Sequence, residues 1–378
     1  FTEAIRIYTN GGGGFCSQAD VDDPAINQCT AVGDPKGNSV KGAGAIRTLK
    51  GFATAGQGKM TGWTTYPIYY AYWNDYNYAD TLITKDYSAI VKDVGRAQLI
   101  QKGACYQAIW MYVLHQFEDG IYDCTPGDAT ANEHAAHAWN QGWAFYSGSL
   151  VAATAADSAR SSTASADGVL IWEISEKRGA DFGTLDTTGP SKANVKALAA
   201  AVAGRDQILA STCSGLPDQL KILTQQMTVP LIQDLIKNAW RMDPAGGDNC
   251  AADAGKNALT ASDACVKNWA EAWAFAAAVL PQVHQCNAAA ATTIRDNVDI
   301  TAVEPMKDGF AAVKAALEST YPCLGITCAD VGAYQSSGVV YTGADACIDS
   351  SDYNPDYNGG CTDTSDCSAQ PGCNQPDM

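Results

Sequence analysis

Histidine is scarce in this 378-residue chain, with four in all, and basic residues are few: 24 Lys and Arg stand against 41 Asp and Glu. The formal net charge of −17 excludes a nucleic-acid partner and adhesion to anionic membranes, both of which need basic patches. No apolar run approaches the roughly 20 residues that span a bilayer, so no membrane insertion is expected. No stretch has the layout of a secretory signal, and a leader is expected to have been removed. Metal-type CxxC pairs are missing, which argues against a structural zinc site. So are GxSxG, HExxH, the Walker loop and the dinucleotide fingerprint, and the expectation is a protein that is not an enzyme. Glu133-His134-Ala135-Ala136-His137 resembles HExxH only loosely, because the acid precedes both histidines.

What is plentiful is cysteine, glycine and tyrosine: 14, 35 and 17. Fourteen cysteines in loop-like contexts predict an oxidising compartment, secreted or periplasmic, with up to seven disulfides. Residues 1–87 read as a loop-rich and Tyr-rich N-terminal segment, tied down by Cys16 and Cys29. Its Gly11–Gly14 run lacks the strand, helix and Lys-Ser/Thr end of a phosphate loop. From 88 the pattern turns helical, with spans predicted at 88–118, 130–156, 165–179, 191–212, 217–242, 260–280, 286–298 and 304–320. Little strand signal accompanies them, so the fold class is all-α.

Trp139-Asn140-Gln141-Gly142-Trp143-Ala144-Phe145 recurs 130 positions on as Trp269-Ala270-Glu271-Ala272-Trp273-Ala274-Phe275. This predicts two tandem, pseudo-repeated helical bundles, at 88–215 and 216–322. Residues 323–378 carry six cysteines and too little apolar sequence for a core. They read as a disulfide-held tail that caps the second bundle or tethers a cell-surface partner or receptor.

Three of the four histidines fall within residues 115–137. His115 and Glu118, three apart, share a helical face with Met111 and Leu114, which points them inward. Glu133, His134 and His137 lie within about one turn of the next helix, and a short connection makes the two helices antiparallel. Imidazoles and carboxylates from facing helices are how bundles build iron sites. The competing reading is an exposed Glu133/His137 helical pair, since Trp139 and Trp143 mark the packing side. Glu176 on a third helix is a further ligand candidate. His284 reads as a loop or surface histidine. Tyrosines between 62 and 87 are mostly structural, one or two being candidate phenolate ligands for ferric iron.

Tyr69-Tyr70 with Asp75-Tyr76-Asn77-Tyr78-Ala79-Asp80, the Trp139–Tyr146 motif with its second copy, and Glu176–Gly183 resemble, in order, three motifs of the algal iron-assimilation proteins, also called low-iron-inducible or high-CO2-inducible periplasmic proteins. The resemblance spans roughly 62–335 and extends to the phytotransferrins. It implies a secreted protein that aids iron uptake and binds Fe3+ with a carbonate co-anion; it carries no ligand set to this chain. Gly179-Ala180-Asp181 departs from the cysteine the third motif commonly has there. Two rivals are retained: a metal-free structural or interaction protein of the extracellular surface, and a metal-dependent oxidase or hydrolase.

Overall fold

A computed structural model describes residues 48–54, 58, 63–85, 87–128, 132–148, 170–245 and 250–349, together with Ile5, Tyr8 and Thr9. The chain is mostly helical. Its helices are α1 (Leu49–Ala53), α2 (Thr65–Trp73), α3 (Tyr78–Thr84), α4 (Asp93–Gly103), α5 (Trp110–Asp123), α6 (Asn132–Ser147), α7 (Ile171–Phe182), α8 (Lys192–Leu209), α9 (Leu216–Met242), α10 (Asp263–Cys286), α11 (Ala288–Val298), α12 (Phe310–Glu318) and the short α13 (Tyr321–Leu324) and α14 (Cys328–Val331). A hairpin of β1 (Gln335–Ser336) and β2 (Val339–Val340) follows. Cys16, Cys29, Cys361, Cys367 and Cys373 lie outside the described residues.

Local chemistry explains most of the boundaries. Ser191, Ser262 and Asn287 accept hydrogen bonds from backbone N–H groups in the first turns of α8, α10 and α11. Gly183 ends α7 in the left-handed region, at φ 67°. The last long helix starts at Phe310, later than its pattern predicts, because Asp243 Oδ2 accepts the Phe310 N–H at 3.0 Å and fixes the start there.

Helices α4 and α5 are joined without a break by a π-helical turn, Ala104–Ile109. That turn carries Gln107 into the core, where its Nε2 donates to Ala274 O at 3.4 Å. The aromatic segment before residue 88, read as loop-rich, is also helical: Tyr66, Tyr69 and Tyr78 are buried in α2 and α3.

α5 and α6 pack closely. Phe117 meets Trp139 edge-on at 4.7 Å, and a Cβ on Gly142 would stand 3.0 Å from the Phe117 ring. Trp139 donates its indole N–H to Ala201 O on α8 at 2.8 Å. Trp269, its counterpart in the recurring motif, donates to Val298 O at the end of α11 at 3.1 Å. Each tryptophan fixes one helix against another and keeps a buried indole satisfied.

Helices α9 and α10 run through Pro230 and Pro281 without ending. A proline ring pushes carbonyls of the preceding turn off the helical ladder. In both helices the carbonyl three residues earlier takes an aromatic donor: Trp110 Nε1 bonds Met227 O at 3.3 Å, and Tyr69 Oη bonds Ala278 O at 2.6 Å. These bonds cross from residues before 215 to residues after 216, and one continuous apolar core includes both.

Four disulfides close the described chain: Cys124–Cys213, Cys250–Cys265, Cys286–Cys323 and Cys328–Cys347. Cys105 is the free cysteine among the described residues. No described helix is long and apolar enough to cross a membrane.

Candidate functional site

The buried edge of α5 divides its side chains. Phe117 turns to α6, whereas His115 and Glu118 turn toward the start of α2. The His115 ring lies 3.4 Å from that of Trp63 at an interplanar angle of 33°, and Tyr112 meets it edge-on at 5.9 Å. Its Nδ1 stands 3.4 Å from Asp119 Oδ1, one turn along the helix.

Glu118 is 6% exposed. Its Oε1 accepts from the Thr64 N–H at 3.1 Å, the Thr64 hydroxyl at 2.7 Å and the Thr65 N–H at 3.2 Å. Thr64 offers α2 no cap of its own, so the Glu118 carboxylate satisfies the orphan donors and meets the positive end of the helix. Oε2 is buried and accepts no hydrogen bond among the described residues. Burial, and then the charges of Asp123 and Glu118, push the Asp119 carboxyl up to about 6. Negative charge is therefore concentrated around His115.

Glu133, His134 and His137 are exposed on α6. The His137 Nε2 lies 3.1 Å from Gln141 Nε2, one turn on. The sides by which α5 and α6 meet are filled by Phe117, Ala135, Trp139 and Gly142. The two groups of candidate ligands thus stand on other faces of the pair, and the expected convergence across it is not what the structure shows. The reason is steric: the aromatic and small residues of the motif take the contact side.

Glu176 does for α8 what Glu118 does for α2. It accepts from the Ser191 N–H at 3.1 and 3.2 Å and from Asn194 Nδ2 at 2.6 Å. His284 is exposed in the last turn of α10 rather than in a loop, edge-on to Tyr72 at 5.2 Å. Among the described residues, no three His, Cys, Asp or Glu side chains are grouped so as to hold a metal ion.

No family model, curated protein or solved structure matches this chain.

Sequence reasoning passed over two groups. Asp119, four positions after His115, was legible as a helical neighbour. The ion-pair set formed by the buried Arg178 and Asp234 with the partly exposed Asp181 and Lys237 joins α7 to α9 across 53 or more positions of sequence, and no spacing signals it.

Proposed function

We propose that the protein binds ferric iron outside the cell and serves iron assimilation without turning over a substrate. His115 and Glu118 are the two ligands the chain supplies, in the first of two tandem helical bundles, and Asp119 pairs with the His115 ring at Nδ1; carbonate and water complete the ion's shell, and the tail beyond residue 323 meets a cell-surface partner. The observation that carries this reading is the second carboxylate oxygen of Glu118, which is buried and accepts no hydrogen bond among the described residues. A hard cation suits such an oxygen, and imidazole is a common iron ligand. Four disulfides and the motif resemblance support an extracellular setting.

The test is metal analysis of untagged protein and Fe(III) titration of wild type, His115→Ala and Asp119→Asn, with helicity checked by circular dichroism. One iron per chain in wild type, and at least about tenfold weaker binding in each variant, is expected. Unchanged iron binding in both folded variants refutes this ligand group.

A second reading, a metal-free interaction protein of the extracellular surface, is favoured by the caps. Glu118 and Glu176 both have structural work at helix starts, and Glu133, His134 and His137 face solvent. Absence of iron from wild type at any ratio supports it.

A further inference from the structure

Helix α8 packs through one side on α6 and α9 and turns the other to solvent. The solvent side is not polar. Val195, Val202 and Leu209 are 38%, 42% and 56% exposed on it, each seven residues from the next, and the exposed Ala199 lies among them. Residues 195, 199, 202, 206 and 209 form a stripe with alternating spacings of four and three, the seam of a two-helix coiled coil. Asp206 alone interrupts it with charge. An unpartnered apolar seam of this kind marks a contact surface, which scattered single valines would not.

The stripe is symmetric about Val202. When two such helices run antiparallel with Val202 at the centre, the residue seven after it stands opposite the residue seven before it. Leu209 then meets the partner's Val195, and Val202 meets the partner's Val202. A twofold contact requires this self-matching. Charge agrees with it. Asp206, four after Val202, comes within about 3 Å along the axis of the partner's Lys196, six before it. Lys196 already holds Asp330 of its own chain, but its side chain is half exposed and an ammonium has further donors. A parallel pair would instead set Asp206 against the partner's Asp206. Beside Val202 a groove of about 250 Å³, lined by Asn140, Trp143 and Arg205 among others, carries the face onto α6.

We propose that the solvent face of α8 binds a second copy of this chain, with the two helices antiparallel and the twofold axis passing at Val202. Burial of Val195, Ala199, Val202 and Leu209 from both copies drives association, and the two Asp206–Lys196 pairs fix its direction. One helix pair is a small interface, so the dimer is weak and reversible. The contact does not depend on the ferric reading.

The test is sedimentation velocity of the full chain between about 1 and about 200 µM, where a weak contact of this size passes from monomer to dimer. Val202→Glu sets two carboxylates across the axis and is expected to stay monomeric throughout. Leu209→Asn is expected to raise the dissociation constant at least about tenfold. Both positions are exposed, and circular dichroism checks that each variant is folded. Cross-linking reads the geometry. Helices about 8–10 Å apart bring facing Cα atoms within reach of a disulfide. Val202→Cys under mild oxidation is therefore expected to form a covalent dimer at least about tenfold faster than Val303→Cys, an exposed valine outside the stripe. Loss of the dimer in both seam variants, with fast cross-linking at 202, upholds the interface. A wild type monomeric at about 200 µM, a folded Val202→Glu that still dimerises, or equal cross-linking at 202 and 303 overturns it.

Discussion

Arg178 on α7 donates from Nη1 to Asp234 Oδ1 on α9 at 2.8 Å, with both side chains almost wholly buried. Asp181 accepts from Arg178 Nη2 at 3.2 Å and from Lys237 at 2.7 Å, which extends the pair into a four-residue set. Burial pushes the Asp234 carboxyl up to about 6 even though Arg178 and Lys237 pull against it.

Arg178→Met should cost about 3–5 kcal/mol at pH 7, because it leaves a buried carboxylate without its partner. The sign with pH follows from Asp234. Its folded pKa lies above the unfolded value, so its contribution worsens as pH rises from about 4 to about 6. Without Arg178 that worsening is larger. The loss in melting temperature should therefore be smaller near pH 4.5 than at pH 7. An equal loss at both values would mean that the pair is not what the substitution disturbs.

Gly204→Ala tests how tightly α6 and α8 are fitted. On an open helix this change stabilises by up to about 1 kcal/mol. Here the added Cβ would come 2.0 Å from Trp139 Cζ2, so the chain should lose about 1–3 kcal/mol through overpacking. Denaturant midpoints of the two proteins decide the sign.

Glu176→Ala removes the acceptor shared by the Ser191 N–H and Asn194 Nδ2. Part of the cap survives, because Ser191 Oγ still accepts the Asn194 N–H at 3.2 Å. A loss of about 1–2 kcal/mol is expected. A Gln at the same position keeps the acceptor and should restore about half, as read by thermal unfolding.

Cys105 should be unreactive in the folded chain. Burial pushes its thiol up to about 11, opposed only weakly by Lys102. Its thiolate fraction at pH 8 is lower than that of an ordinary cysteine by on the order of a hundredfold. A thiol reagent should label it slowly in buffer and quickly in denaturant; fast labelling of the native chain would show that the π-helical turn opens.

The long helices were legible because their apolar spacing and caps agree: α8, α9, α10 and α11 start within three residues of the expected positions. α2 and α3 were not, because a run of tyrosines lacks an apolar stripe and is buried by contacts with α5 and α10 that lie far along the chain. The span expected to stop at 280 continues through Pro281 to Cys286, because the surrounding core holds α10 together there. At the candidate site, the inward turn of His115 and Glu118 could be read from Met111 and Leu114. The partner of Glu118 could not, since Thr64 and Thr65 stand more than 50 positions away and carry no motif. The failure of the α6 residues to join them has a plain cause. Helical spacing says which residues share a stripe, and the bulk of Trp139 and Phe117 decided which stripe faces inward.

The Cys124–Cys213 bridge joins the end of α5 to the segment after α8, and residues 149–169 lie between its ends. A protease that nicks the chain anywhere in that interval produces two polypeptides that migrate together on a non-reducing gel and part only when dithiothreitol is added. The molecule can thus be cut once in the interior of its sequence and still leave as a single particle.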